Sequence, residues 1–211
     1  MSEKTDVFVR VWAPDRIRLG MSISSIARWE MEPDIRLILL ICEESLHIAE
    51  WREHTQICVP AANFAQASIQ LAEVMATGDI YCGGDDDMLI YGKNFVARGL
   101  ALMRRREYKD YGLLVASPTN EGEYPTGKYD YPADLPEVAE SHAVGGPGFL
   151  RKGLMTEFPA ISNNEYAGFM HQHLLAKGFK SGYLPRMHYL HLGSRYSISV
   201  PQQCDGYGGY R

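Results

Sequence analysis

The segment Thr77-Gly78-Asp79-Ile80-Tyr81-Cys82-Gly83-Gly84-Asp85-Asp86-Asp87-Met88-Leu89-Ile90 combines a helix stop, a short strand and three consecutive carboxylates. Thr77-Gly78 follows a helical pattern, and Gly just past the last periodic residue predicts a left-handed C-terminal cap. Ile80, Tyr81 and Cys82 suit a buried strand. Gly83-Gly84 lets another group approach the backbone at the end of that strand. Asp85, Asp86 and Asp87 repel one another unless a cation sits among them. Hard oxygen ligands at a strand end suit Mg²⁺ or Mn²⁺, ions that usually arrive bridged to phosphates. The alternative is a solvated acidic turn with no chemistry.

The surroundings favour the first reading. Ala76-Thr77-Gly78-Asp79-Ile80 ahead of Asp85-Asp86-Asp87, after an Ala-rich helix, resembles the DxD segment of nucleotide-sugar glycosyltransferases with the GT-A fold. The resemblance implies that Asp85 and Asp86 face the nucleotide, with Asp85 near the ribose. It further implies that Asp87, with Asp85, binds Mn²⁺ or Mg²⁺ on the diphosphate.

Upstream, Val7 to Trp12 is rich in strand formers and ends at Ala13-Pro14. Leu19, Ile23, Ile26 and Ala27 then recur at helical spacing. Ile35 to Cys42 is continuously apolar, as a strand buried on both faces requires. Strand, helix and strand in that order predict a βαβ unit, whose ligands lie beyond the carboxyl ends of the strands. Glu43 and Glu44 follow the second strand, where the glycosyltransferases use acidic residues to read the nucleobase. Their usual Asp-Asp-Gly-Ser stands here as Cys42-Glu43-Glu44-Ser45. A solvated loop is the competing reading. By the same resemblance Ala13 and Pro14 line the other side of the base.

Ala61 to Ala76 predicts an amphipathic helix with Phe64, Ala67, Leu71 and Val74 on its inner face. Related enzymes carry an Arg-Asn pair here, and this chain offers Asn63 and Gln66 instead. Lys93 to Arg106 reads as a helix with Val96, Leu100 and Met103 inward, its basic end suited to the helix dipole. Tyr111 to Ala116 reads as a strand. From Ser117 to Gly148 prolines and glycines dissolve the periodicity, and a loop so long inside a domain is usually functional or disordered. Tyr124, Tyr129 and Tyr131 could stack on sugar rings or pack the loop itself. Gly145-Gly146-Pro147-Gly148-Phe149-Leu150-Arg151 resembles the Gly-rich segment beside the donor sugar, which assigns Gly146 to the donor site.

Near the end, Tyr166 to Lys177 reads as a helix and Phe179 to Leu184 as a strand. The resemblance implies that Glu165, at the start of this helix, is the catalytic base, with Glu157 in reserve. Ser162-Asn163-Asn164-Glu165 is equally a capping box. His191, beyond the strand in His191-Leu192-Gly193-Ser194, completes the metal site by the same resemblance and fits better than His188. His171 and His173, two apart on a helix, point to different faces and do not share an ion.

Composition bounds the rest. The 211 residues carry a net charge of -5, so no basic field recruits nucleic acid or anionic membrane. Cys42, Cys58, Cys82 and Cys204 lack CxxC spacing and read as reduced thiols. Leu37 to Cys42 is the longest apolar run, too short to span a bilayer, and no secretory signal is visible. The expectation is a soluble, cytoplasmic α/β protein: a single GT-A-like, Rossmann-like domain with a mostly parallel central sheet flanked by helices. It covers residues 1–200, with a nucleotide-binding part over about 1–116, an acceptor part over about 117–200, and 201–211 as a flexible tail or linker.

The implied activity is metal-dependent transfer of a sugar from a nucleotide sugar, a UDP-sugar, to a glycan or other hydroxyl acceptor. Two alternatives stay open: a silent glycan- or nucleotide-sugar-binding domain, and a sugar-phosphate nucleotidyltransferase. The latter wants a Gly-rich loop after the first strand, and Ala13-Pro14-Asp15-Arg16 has no glycine before Gly20.

Overall fold

The computed structural model describes residues 4–46, 51, 53–118, 136–141, 145–159 and 166–192, with only the backbone at 166 and 167. The apolar runs form a nine-stranded sheet among the described residues, ordered β3-β2-β1-β4-β8-β6-β9-β5 with β7 against β9. In chain order the elements are β1 (Thr5–Val11), α1 (Arg16–Glu30), β2 (Ile35–Cys42), β3 (Thr55–Val59), α2 (Phe64–Met75), β4 (Ile80–Asp85) and β5 (Met88–Ile90). There follow α3 (Phe95–Met103), β6 (Tyr111–Pro118), β7 (Ala139–Glu140), β8 (Gly148–Arg151), α4 (Tyr166–Ala176) and β9 (Lys180–His191).

β3, β2, β1 and β4 run parallel, as does β6 with β9, while β8 lies antiparallel between β4 and β6. The short strands β5 and β7 pair antiparallel with β9. The result is the expected mixed α/β architecture with a mostly parallel sheet.

Alternation along β1 sends Val7, Val9 and Val11 to one face, where Ile26 and Trp29 of α1 and Phe95, Val96, Leu100 and Met103 of α3 complete a core. Phe8 points to the opposite face, where α2 and α4 add Phe64, Ile69, Ala72, Met170 and Leu174. Both faces are covered, which is why β2 reads as unbroken apolar residues.

Three expectations are corrected. α2 stops at Met75 because Ala76 is extended, with φ -58° and ψ 131°, and Gly78 takes no left-handed turn. Asp6 ends the helix instead, accepting from both the N–H and the hydroxyl of Thr77 at 2.7 and 2.8 Å. The inner face of α2 is Phe64, Ala65, Ser68, Ile69, Ala72 and Glu73, and Val74 is 72% exposed. Glu73 can be inside because Tyr81 Oη and the N–H groups of Gly153 and Met155 donate to it. Finally, β9 does not close at Leu184. A register shift beyond Leu184, around Pro185, lets it resume against β6 and run on to His191.

No helix among the described residues is long and apolar enough to cross a membrane.

Candidate functional site

Sheet register gathers the carboxylates. β1 pairs parallel with β4 so that Arg10 lies opposite Asp85, and Arg10 Nε reaches Asp85 Oδ1 at 2.6 Å. β5 pairs antiparallel with β9 so that Met88 lies opposite His191. That pairing brings the imidazole to the residue just before Met88: His191 Nε2 is 3.2 Å from Asp87 Oδ2. The Leu192 N–H donates to the Asp87 carbonyl at 2.7 Å and locks the two chain segments together.

α1 supplies the remaining partners. Asp15 caps it, accepting from the N–H groups of Ile17 and Arg18 at 2.8 and 2.9 Å. Helical spacing from that start puts Arg18, Ser22, Ser25 and Trp29 on the buried side. Arg18 Nη1 donates to Asp87 Oδ2 at 3.0 Å, and its guanidinium lies 5.4 Å from the centre of the Trp12 ring. The Ser22 hydroxyl donates to Asp86 Oδ2, which also accepts from the Trp12 N–H at 3.0 Å. Ser25 Oγ donates to the Met88 carbonyl at 2.7 Å and pins the turn after the carboxylates.

The triplet is therefore not a solvated turn. Asp85, Asp86 and Asp87 are each 5% exposed, and each has an internal partner. Buried charges persist only when paired and hydrogen-bonded, and here Arg10, Arg18 and two donors to Asp86 do this. Asp86 and Asp87 diverge in acidity. Burial, then the charge of Asp87, pushes Asp86 well above the usual carboxylate range. Burial also works against an ionised Asp87, but the hydrogen bonds and charges of His191 and Arg18 outweigh it and hold the carboxyl low. Burial would lower His191, yet its hydrogen bond to Asp87 and the Asp87 and Asp85 charges hold it above its ordinary value. Asp87 is thus held between Arg18 and His191, with Asp86 buried beside it.

Asp87 Oδ2 and His191 Nε2 stand 3.2 Å apart, in contact with each other, and Arg18 Nη1 reaches the same oxygen. Among the described residues no three His, Cys, Asp or Glu side chains gather as a metal site. Such a pair suits an ion that keeps one or two protein ligands and completes its shell with phosphate oxygens and water, as Mg²⁺ does in phosphate-binding sites. Asp85 is engaged by Arg10.

Ala13, Pro14, Glu43, Glu44 and Gly146 lie at the same end of the sheet. Ala13 is buried and Pro14 half-buried after β1. Ser45 Oγ accepts from the Ala13 N–H at 3.0 Å and donates to the Val11 carbonyl at 3.2 Å, stapling the ends of β1 and β2. Glu43 and Glu44 are exposed beyond β2, and Glu43 Oε1 accepts from the Ala61 N–H at 2.9 Å. Gly146 has φ +131°, and a Cβ there would fall 2.7 Å from the Tyr189 ring, so no side chain fits. Gln66 Nε2 donates to the Phe158 carbonyl at 3.4 Å. Glu165, Tyr124, Tyr129, Tyr131 and the tail 201–211 lie outside the described residues. Glu157 is exposed, 3.7 Å from Lys177.

His188 is half-buried, and that burial lowers its pKa. His171 Nδ1 meets Ser181 Oγ at 2.6 Å while His173 Nε2 meets the Leu154 carbonyl at 2.8 Å, so the two serve separate structural contacts.

Sequence reasoning missed Arg10, Arg18, Ser22 and Ser25. The available signal was Asp15 as a cap followed by polar residues at helical spacing, which marks a polar face turned inward.

No protein-family model and no curated protein matches the sequence. Solved structures do match. Over 95% of this chain and 58% of the other, it is similar to the mannosyltransferase PcManGT from Pyrobaculum calidifontis, in complex with GDP-Man and Mn²⁺, with 13% identity and a TM-score of 0.62. S. aureus TarS matches over 89% of this chain and 36% of its own, at 12% identity and a TM-score of 0.60. The inositol-1-phosphate CTP transferase from T. maritima matches over 90% of this chain and 89% of its own, at 11% identity and a TM-score of 0.56. The likeness is one of fold. This chain spans about a third of the TarS structure and three fifths of the mannosyltransferase, and the same architecture serves sugar transfer and nucleotidyl transfer alike.

Proposed function

We infer that this chain is a glycosyltransferase that moves a sugar from a nucleotide sugar, a UDP-sugar, to a glycan or other hydroxyl acceptor with inversion. The observation that carries the reading is the convergence of Asp87 and His191, 3.2 Å apart, at the end of the sheet where β1, β4 and β9 present their functional residues. In this reading Ala13 and Pro14 flank the base on one side, and Glu43 and Glu44 read its edge. Asp85 and Asp86 face the ribose and the first phosphate. Asp87 and His191 would hold Mn²⁺ or Mg²⁺, which would offset the charge that grows on the departing diphosphate.

Arg18 keeps Asp87 ionised and correctly turned, and Ser22 with the Trp12 N–H does the same for the orientation of Asp86. The acceptor oxygen attacks the anomeric carbon while the bond from that carbon to the diphosphate oxygen breaks. The electron pair leaves with the nucleotide, and the acceptor proton passes to the Glu165 carboxylate.

A nucleotidyltransferase is the second reading, favoured by the near full-length match to the T. maritima CTP transferase. Against it, Asp15 caps α1 four residues after Val11, which leaves no glycine-rich loop to wrap a triphosphate. Incubation with Mn²⁺ and a panel of nucleotide sugars distinguishes the two. Glycosyl transfer predicts slow release of the nucleoside diphosphate and free sugar. Nucleotidyl transfer predicts instead pyrophosphate release from a nucleoside triphosphate and a sugar phosphate. A binding domain gives neither product.

A further inference from the structure

Behind the carboxylates, between the sheet and α2, lies a cavity of about 60 Å³. The sequence makes it by placing small residues where a filled core would need large ones. Tyr81 and Gly83 alternate onto the α2 side of β4, and across from them α2 presents Ser68 and Ala72. Gly83 pairs with Phe8 on one side and Gly148 on the other. A Cβ at Gly83 would meet only the Phe8 carbonyl, at 3.6 Å. Phe8, Leu40, Ile69, Leu113, Val115 and Met170 make the walls apolar.

Two features give this space a chemistry. Ser68 is 1% exposed, and its buried Oγ has no hydrogen-bond partner among the described residues. A buried hydroxyl left unsatisfied is costly, so it marks a place for an incoming partner. The cavity also reaches Arg10, Gly84 and Gly146. Arg10 is the residue paired with Asp85, and Gly84 immediately precedes it, so the cavity adjoins the carboxylate site.

We propose that the cavity receives a short acyl substituent, an acetamido group, on the sugar of the nucleotide-sugar donor. The proposal rests on the nucleotide-sugar reading above. A water needs about 10–15 Å³ of such volume, so the space holds a group of about four non-hydrogen atoms, the size of an acetamido. An alkyl group would fill the apolar walls but leave Ser68 Oγ unpaired. A lone hydroxyl would pair with Ser68 Oγ but leave the apolar walls unfilled. An acetamido brings an apolar methyl for the walls and a carbonyl oxygen to which the Ser68 hydroxyl donates, with its N–H on the sugar side of the group. A water there would meet few polar partners and is easily displaced.

The test is calorimetric binding of UDP, UDP-glucose and UDP-N-acetylglucosamine, with Mn²⁺, to the wild type, Ser68→Ala and Gly83→Ala. One methyl in an apolar pocket is worth about 10-fold or more, so the acetamido donor should bind the wild type at least about tenfold tighter than UDP-glucose. Gly83→Ala puts a methyl into the cavity and should erase that preference, with UDP affinity as the internal control. Ser68→Ala keeps the shape and should reduce the preference several-fold. Equal affinity for the two sugars in the wild type overturns the proposal and leaves the nucleotide-sugar reading standing. So does a preference that survives in Gly83→Ala, or in Ser68→Ala should Gly83→Ala fail to fold. No binding of UDP or either sugar overturns both.

Discussion

Gly83 and Gly84 are neighbours on β4, yet they face opposite worlds. On the side of Gly84, α1 packs Trp29 so closely that a Cβ at this glycine would lie 3.2 Å from the indole. There the helix also meets the buried carboxylates of Asp87 and Asp86 with Arg18 and Ser22, and Ser25 holds the Met88 carbonyl. On the side of Gly83, α2 offers Ser68 and Ala72 and leaves space. One face of the sheet is full and charge-matched, and the other is apolar and underfilled. A fold that only needed stability would fill the second face and remove the charges from the first. Both departures occur at the same end of the sheet, which is where local rules are expected to yield to function.

The largest effect should come from breaking the charge match. Arg18→Ala leaves Asp87 buried with half its compensation gone, and removing one partner of a buried pair typically costs about 3–5 kcal/mol. Chemical denaturation should show that loss. A change below about 1 kcal/mol would mean that solvent reaches Asp87 and the pair is a surface one.

The adjacent glycines give a smaller and sharper contrast. Gly84→Ala must push Trp29 aside and should destabilise by about 1 kcal/mol, the low end of overpacking. Gly83→Ala has room for its methyl and restricts the unfolded chain, so it should gain about 0.5–1 kcal/mol. Opposite signs one residue apart would establish the two faces. If both substitutions destabilise, the α2 side is filled after all.

The same contrast explains what was legible in the sequence. The parallel strands were, because β1, β2 and β4 are apolar in the pattern that two covered faces require. Val96, Leu100 and Met103 of α3 were too, since their burial is purely hydrophobic. α2 was misphased because Ser68 and Glu73 look like surface residues. Glu73 is inside only because Tyr81, Gly153 and Met155 lie far off in sequence and close in space. α1 hid its function for a related reason. Its inner face is polar because the facing turn is acidic, and hydrophobic periodicity is blind to that match.

His191 was singled out from its context, although the strand it ends was expected to stop at Leu184. The shift around Pro185 that carries β9 onward depends on pairing with β6, which no local pattern encodes. The carboxylates were expected to repel unless a cation sits among them, and the cations that do so, Arg10 and Arg18, are remote in sequence and were not foreseen.

The central claim is that Asp87 and His191 jointly hold an ion on a nucleotide diphosphate, and thermal unfolding with UDP tests it most directly. Wild-type protein is compared with His191→Ala, with UDP in Mn²⁺ and with UDP in EDTA. At about 100 times the dissociation constant, a ligand specific to the folded state stabilises by about 2.7 kcal/mol, a plain rise in Tm. The account predicts that rise for the wild type with UDP and Mn²⁺ together, with most of it lost in EDTA and in His191→Ala. A shift of equal size in EDTA, or in His191→Ala, would contradict it.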